Sequence, residues 1–313
     1  MAKRKVLAIN EEVQTTWEEA LQGFLFWKKA QGLAERTLTD YRKHVSQLFH
    51  RFPTAFSTPK LKPAILEYMS QPVKPATFNL RFIYLRTFFD WCIQEGILTE
   101  NPLIGFKKKK AEGRIVNIDE DILTKLLSLP QKDTFAGLRD YALLLLTMDT
   151  GIRPKEALTL RVEDINLRSL EVNIRSEEAK TRVSRTLPLS PVTANAIREL
   201  ISARHMAWKN STPVFCSSEG TAMTAIKLGD RLEMYSKNLG IHIRPYDLRH
   251  AFALQFLRNG GQAFALQRTL GHTDLTMTRR YVSLTQQDLR QQHSIASPIN
   301  TLLPQRQRVR KVK

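Results

Sequence analysis

Apolar residues recur at helical spacing through the first hundred positions. In 15–31, Trp17, Leu21, Phe24, Leu25 and Lys28 fall on one helical pattern, and Thr16 followed by Glu19 has the form of a capping box. In 36–51, Leu38, Tyr41, Val45, Leu48 and Phe49 share a face. A short helix is expected at 62–70. A longer one is expected at 75–95, carrying Phe78, Phe82, Leu85, Phe88 and Phe89. Pro53, Pro59, Pro72 and Pro75 punctuate these segments. The pattern predicts a four-helix domain whose polar faces carry Arg36, Arg42, Lys43, Lys74, Arg81 and Arg86.

The pattern then changes. Residues 100–114, ENPLIGFKKKKAEGR, have structure breakers at Pro102 and Gly105 and too few apolar positions for a core. From about 115 the chain predicts helices at 119–129, 136–149 and 154–160, then short strands near 162–164, 170–175 and 183–188. Helices return at 191–208, 224–239, 246–259, 262–269 and 274–284. The expected fold class is mainly α with a small antiparallel β-sheet. The expected division is a helical domain over 1–103, a basic linker over 104–115, a mixed α/β domain over 116–290 and a tail over 291–313 that is flexible at its extremity. About thirteen residues precede the first helix, so no additional domain is expected at that end.

Composition narrows the function. The 313 residues are 42% hydrophobic, which predicts a globular chain of about two domains. No run of about 18 uncharged apolar residues is present, and the basic N-terminus lacks the apolar centre of a signal peptide, so no membrane partner is expected. Two distant cysteines, Cys92 and Cys216, fit a reducing cytoplasm, and the histidines show no metal-ligand spacing, so no metal is expected. Lys plus Arg number 48 against 30 Asp plus Glu, a formal net charge of +18. Such an excess attracts polyanions, because each cation on a phosphate releases condensed counterions. In that setting Lys107, Lys108, Lys109, Lys110 and Arg114, otherwise a solvated hinge, are expected to contact DNA phosphates, as is Arg244.

Four segments carry candidate chemistry: TGIRPKEALTL at 150–160, EEAKTRVSRTLPL at 177–189, RPYDLRHAFALQF at 244–256 and LGHTDLTMTRRYVSL at 270–284. Singly, each admits an ordinary explanation, such as a helix-terminal arginine or a packing tyrosine. Together, in this order and spacing, they resemble the tyrosine recombinase family of phage integrases and Xer-type recombinases. Thr150, Gly151, Arg153 and Glu156 match its T-G-x-R-x-x-E segment. Lys180 precedes Pro188 and Leu189 as the family's hairpin lysine does. Leu248, Arg249 and His250 match H-x-L-R-H. Leu270, Gly271 and His272 match L-G-H, and Tyr281 follows His272 by nine residues. Tyr246 departs from the pattern, standing where the family has histidine.

The resemblance implies a helical, SAM-like core-binding domain and a catalytic domain forming a C-shaped clamp on DNA. It also implies a metal- and ATP-independent reaction, with no cofactor. Tyr281 would attack phosphorus to give a 3′-phosphotyrosyl link and a free 5′-hydroxyl. Arg153 and Arg249 would clamp the phosphate, since guanidinium is a fixed, permanently charged fork. Lys180 would protonate the departing 5′-oxygen, and His272 would donate a hydrogen bond. Glu156 and His250 would support the pocket. Tyr246 can donate a hydrogen bond to a phosphate oxygen but, with an ordinary pKa near ~10, shuttles protons poorly near neutrality.

The implied partners are double-stranded DNA recombination sites and three further copies of the chain. The homotetramer would assemble on DNA by exchange of a C-terminal segment, for which SIASPINTLL at 294–303 has the apolar content, and a monomer in free solution is compatible with this. A related recombinase or DNA-bending accessory proteins are further partners. The implied location is the cytoplasm, at the nucleoid. The expected role is integration, excision or transposition of a mobile element. The alternatives are chromosome-dimer resolution, a DNA-binding accessory of the same fold without cleavage, and a type IB topoisomerase.

Overall fold

A computed structural model describes residues 15–111, 117–179, 182–279, 281, 290 and 293–302. The chain divides into two units, Met1–Gly113 and Arg114–Lys313.

The first unit contains helices α1 (Trp17–Ala30), α2 (Glu35–Arg51), α3 (Leu61–Ser70) and α4 (Pro75–Gln94). The Thr16 hydroxyl accepts from Glu19 N–H while the Glu19 carboxylate accepts from Thr16 N–H, closing the capping box. Phe24, Phe49, Phe88 and Phe89 are fully buried, and Phe24 meets Phe88 edge to face at 5.5 Å. Burying each such ring contributes about 1.5–3 kcal/mol, which accounts for the hold of α4 on α1 and α2. Leu103 belongs to the same core. Three of the six polar-face cations have partners within the unit: Arg36 pairs with Asp40, Arg86 with Asp90, and Arg81 donates to Tyr68 O and Gln71 Oε1 and lies 4.3 Å from the Tyr68 ring centroid. The lysine run is not wholly solvated either. Lys109 N–H and C=O pair with the Asn79 side chain at 2.8 and 2.9 Å, and its ammonium sits 4.1 Å from the Phe78 ring centroid.

The second unit is built on α6 (Phe135–Thr150), which buries Leu138, Ala142, Leu143, Leu144 and Leu146 and packs on α8 (Pro191–Ser202) and α10 (Pro245–Arg258). Its other described helices include α5 (Glu120–Ser128), α7 (Pro154–Leu158), α9 (Ala225–Lys237), α11 (Ala263–Leu270), α12 (Leu275–Arg279) and the short α13 (Ile299–Leu302). Strands β1 (Ile165–Asn166), β2 (Glu171–Ile174) and β3 (Arg185–Pro188) form one antiparallel sheet in sequence order. Val172 pairs with Leu187 and Ile174 with Arg185, turning Val172 and Ile174 inward.

Three expected elements differ. Residues 162–164 form a 3-10 turn, because the Asp164 carboxylate accepts from Arg161 N–H at 2.7 Å and closes the loop before a strand can start. The helix expected to reach 208 stops at Ser202. Beyond it, the Arg204 fork is taken by the carbonyls of Pro213 and Thr212, and Trp208 packs on Phe135 at 5.2 Å. Val214 and Phe215, given no element by their pattern, are buried, with Val214 N–H on Leu160 O. The helix expected at 274–284 is described as Leu275–Arg279; 280 and 282–284 lie outside the described residues. Among the described residues, no helix is long and apolar enough to cross a membrane.

Candidate active site

The T-G-x-R segment is a helix stop followed by a helix start. Gly151 ends α6 with φ +61°, and a Cβ there would lie 2.3 Å from the Phe252 ring and 2.8 Å from Leu270. Pro154 starts α7 at its first position, leaving Arg153 as N-cap. This short reversal points the buried Arg153 side chain inward, where it donates to Glu156 Oε1 at 2.9 Å and to Gly271 O at 3.0 Å.

The L-G-H segment repeats the device at the end of α11. Gly271 adopts φ +61°, and His272 N–H reaches back to Gln267 O, a Schellman closure. That closure leaves the carbonyls at the end of α11 and on the glycine that caps it available, and three guanidiniums take successive ones. Arg185 donates to Thr269 O, Arg249 to Leu270 O and Arg153 to Gly271 O, at 3.2, 2.8 and 3.0 Å. The negative end of a helix dipole is a favourable place to gather cations. Arg249 also donates to Gly151 O, tying both glycine turns to one side chain.

Glu156, almost wholly buried, balances part of this charge. It accepts from Arg153 and takes both terminal nitrogens of Arg185, at 3.1 and 2.6 Å. Burial pushes its carboxyl up, but the hydrogen bonds and charges of Arg185 and then Arg153 outweigh that and hold it below the ordinary range. Three cations against one anion leave an electropositive pocket. Burial, then repulsion from Arg153, brings the Arg249 pKa down to about 10, so it remains charged at neutral pH.

His272 joins Arg249 through Nε2, 3.3 Å from Nη2, and Thr278 Oγ1 through Nδ1, at 2.9 Å. A guanidinium only donates, so Nε2 accepts and Nδ1 carries the proton toward Thr278, which is fully buried. Burial first, then Arg249 and Arg153, brings His272 down to about 4, so the ring is neutral at pH 7. Tyr281 lies just past α12, its N–H on Thr278 O, its ring buried with Phe252, Ala253, Leu266 and Leu270, and its Oη 2.6 Å from His250 Nδ1.

The fold therefore brings Arg153, Glu156, Arg249 and His272 together, and pairs His250 with Tyr281. Tyr281 lies within the electrostatic reach of Arg249. Tyr246 is not drawn in: it stands 52% exposed on the first turn of α10. Arg244 is exposed at the N-cap of α10, with Nε 3.2 Å from His242 Nε2. Lys107, Lys108, Lys109 and Lys110 are exposed in the first unit. Lys180 and Arg114 lie outside the described residues. Arg185 escaped sequence reasoning. The signal was an arginine two residues before the Leu187–Pro188 end of the strand, paired in register with the buried Ile174. Among the described residues no group of three His, Cys, Asp or Glu side chains gathers as a metal site.

A cationic pocket assembled from distant segments beside a buried tyrosine, on a helical unit with a three-stranded antiparallel sheet, defines an enzyme of phosphodiester chemistry. The chain belongs to the Phage integrase family, whose model matches residues 117–288, and so to the tyrosine recombinases, site-specific enzymes that cleave and rejoin DNA. It is 30% identical to the tyrosine recombinase XerC of Proteus mirabilis over 72% of this chain and 74% of the relative. It is 28% identical to the XerC of Shewanella amazonensis over 91% of this chain and 97% of the relative. Among solved structures it resembles the Tn1549 transposon integrase in complex with circular intermediate DNA, with TM-score 0.70 and 18% identity over 90% of this chain and all of that one. It also resembles the XerH recombinase bound to difH substrate, with TM-score 0.66 and 21% identity over 90% and 85%. These two likenesses establish the fold.

Proposed function

We propose that the chain exchanges DNA strands at specific sites through Tyr281, with Arg153 and Arg249 as the phosphate clamp and Lys180 as general acid. The observation that carries this reading is the capture of successive α11 carbonyls by Arg249 and Arg153, which fixes two guanidiniums in one pocket within reach of Tyr281. A phosphodiester repels nucleophiles, and preorganised positive charge lowers the cost of the pentacoordinate transition state. Tyr281 attacks phosphorus, the 3′-phosphate becomes tyrosine-linked, and the 5′-oxygen leaves with a proton from Lys180. The ester bond energy is retained for rejoining through a Holliday junction. His272 reaches the phosphate in the tautomer that carries its proton on Nε2, Tyr246 does so by turning in from the exposed first turn of α10, Glu156 holds the clamp, and Lys107–Lys110, Arg114 and Arg244 contact the backbone.

The working form is a homotetramer on DNA recombination sites, assembled by exchange of the C-terminal segment over 291–313. The exposed Ile295, Ile299 and Leu302 support that reading, since a segment docking on a partner needs apolar anchors. The location is cytoplasmic, at the nucleoid. The biological role is integration, excision or transposition of a mobile element, supported by likeness to a transposon integrase solved with circular intermediate DNA. The test is to express wild type and Tyr281→Phe, isolate covalent protein–DNA adducts under denaturing conditions and sequence the attached DNA. Adducts from wild type alone, at discrete sites joining element ends, are expected. Scattered adducts would indicate a topoisomerase. None, with DNA binding retained, would indicate an accessory without cleavage.

A further inference from the structure

The contact between His250 and Tyr281 does more than support the pocket. Nδ1 and Oη lie 2.6 Å apart, the near limit for a base poised to take a proton. Independent elements fix the two rings. His250 is half-buried on α10. The Tyr281 backbone is anchored to Thr278 O and its ring is packed in an apolar cluster. A phenol that carries its proton donates along this line, which makes Nδ1 the acceptor and leaves Nε2 protonated.

The other groups of the site are committed elsewhere. Both nitrogens of His272 are occupied, Nε2 by Arg249 and Nδ1 by Thr278. The Glu156 carboxylate is held by Arg153 and Arg185, which makes it a weak base. The arginines only donate. Tyr246, at the family's histidine position, is a half-exposed phenol. We infer that His250 is the proton acceptor for Tyr281 in this chain, the task moving four residues along α10 from position 246. This rests on Tyr281 being the nucleophile.

As Oη bonds to phosphorus, its proton passes to His250 Nδ1. The P–O5′ bond breaks, its electron pair goes to O5′, and O5′ takes a proton from Lys180. On resealing, the 5′-hydroxyl gives its proton back to the neutral Lys180 amine as its oxygen bonds to phosphorus, the P–Oη bond breaks, and the His250 imidazolium returns its proton to the departing tyrosine oxygen. The charged groups around this pair come from several elements. Arg249, on α10, senses Tyr281 directly, and around it stand Arg153 and Glu156 of α7 and Arg185 of β3. From α11 the Tyr281 ring meets apolar residues, Leu266 and Leu270. The positive charge of Arg249 favours the negative charge that grows on Oη as its proton leaves.

The experiment uses the full chain and a duplex carrying the sequence recovered from trapped adducts, with single-turnover cleavage measured across pH. Wild type should speed up through the imidazole range and then level. His250→Asn keeps an oxygen acceptor near Nδ1 but takes up no proton. It should cleave about a hundredfold more slowly at pH 7 and lose that limb. A substrate with sulfur at the bridging 5′ position, whose thiolate leaves unprotonated, should rescue Lys180→Ala but not His250→Asn. A wild-type rate flat between about pH 5.5 and 8.5 overturns the inference whether or not any variant folds. So does a His250→Asn profile like that of wild type, or its rescue by the sulfur substrate. Adducts surviving in Tyr281→Phe overturn both this inference and the reading it rests on.

Discussion

Arg185 and Glu156 meet as a two-pronged pair, Nη1 on Oε1 at 3.1 Å and Nη2 on Oε2 at 2.6 Å, joining the edge of the sheet to α7. The Glu156 side chain is 1% exposed and that of Arg185 11%. A buried carboxylate that loses such a partner keeps its desolvation cost, about 3–5 kcal/mol for one broken buried pair. Arg185 also sits on Thr269 O, so it aligns the carbonyl row that receives Arg249 and Arg153.

Arg185→Ala should therefore lower the unfolding free energy measured in urea by an amount in that range and reduce adduct formation. Arg185→Lys should restore charge without the fork and recover little of either. The two paired arginines hold the Glu156 carboxyl low, so its contribution is present above the ordinary value near ~4.3 and fades as pH falls through the lowered one. Urea midpoints of wild type and Glu156→Gln should converge as pH is lowered through that window.

Much of the pocket was legible in the sequence because its turn chemistry is local. Gly151 before Arg153 and Pro154, and Gly271 before His272, announce helix reversals that aim the next side chain. Arg185 was not legible: strand alternation assigns a face, and only the tertiary approach of α11, 84 residues away, supplies Thr269 O. The pairing of His250 with Tyr281 spans 31 residues and depends on how the chain past α12 returns Tyr281 to α10, which no periodicity encodes. The sequence likewise gave no sign that Asn79 would fasten Lys109 to α4, since a lysine run reads as solvated until a partner 30 residues away is known.

Gly151→Ala tests the helix stop between α6 and α7. The residue has φ +61°, and its missing Cβ would meet Phe252 and Leu270 well inside contact distance. The strain should cost about 1–3 kcal/mol. Because Gly151 O accepts from Arg249, the same change displaces the clamp. Thermal unfolding should show the lost stability, and cleavage should fall by more than a global loss of that size explains at temperatures where the variant is folded.

His272 makes stability depend on pH. Burial and then the neighbouring arginines place it at about 4, against about 6.5 for an unperturbed histidine. The unfolded chain therefore binds the proton more tightly. The contribution is fully present above about pH 6.5 and is lost as pH falls toward 4. The ring is half exposed, so solvent screening reduces its size. The drop in urea midpoint from pH 7 to pH 5 should be smaller in His272→Gln than in wild type, and an equal drop would contradict the lowered value.

The lysine run separates binding from stability. Lys107, Lys108 and Lys110 are exposed, so replacing any of them with alanine should leave the unfolding midpoint unchanged. If each contacts a phosphate, affinity for duplex DNA of any sequence falls, and the slope of log affinity against log salt shrinks by about 1 per residue. Lys109 differs, because its ammonium lies over the Phe78 ring. Lys109→Ala should also cost about 0.5–1 kcal/mol of stability from the lost cation–π contact. Titrations of an arbitrary duplex at several salt concentrations, beside urea unfolding of the same variants, check both expectations. A slope unchanged in Lys107→Ala, Lys108→Ala and Lys110→Ala would mean that the run is solvated and that phosphate contact lies elsewhere on the chain.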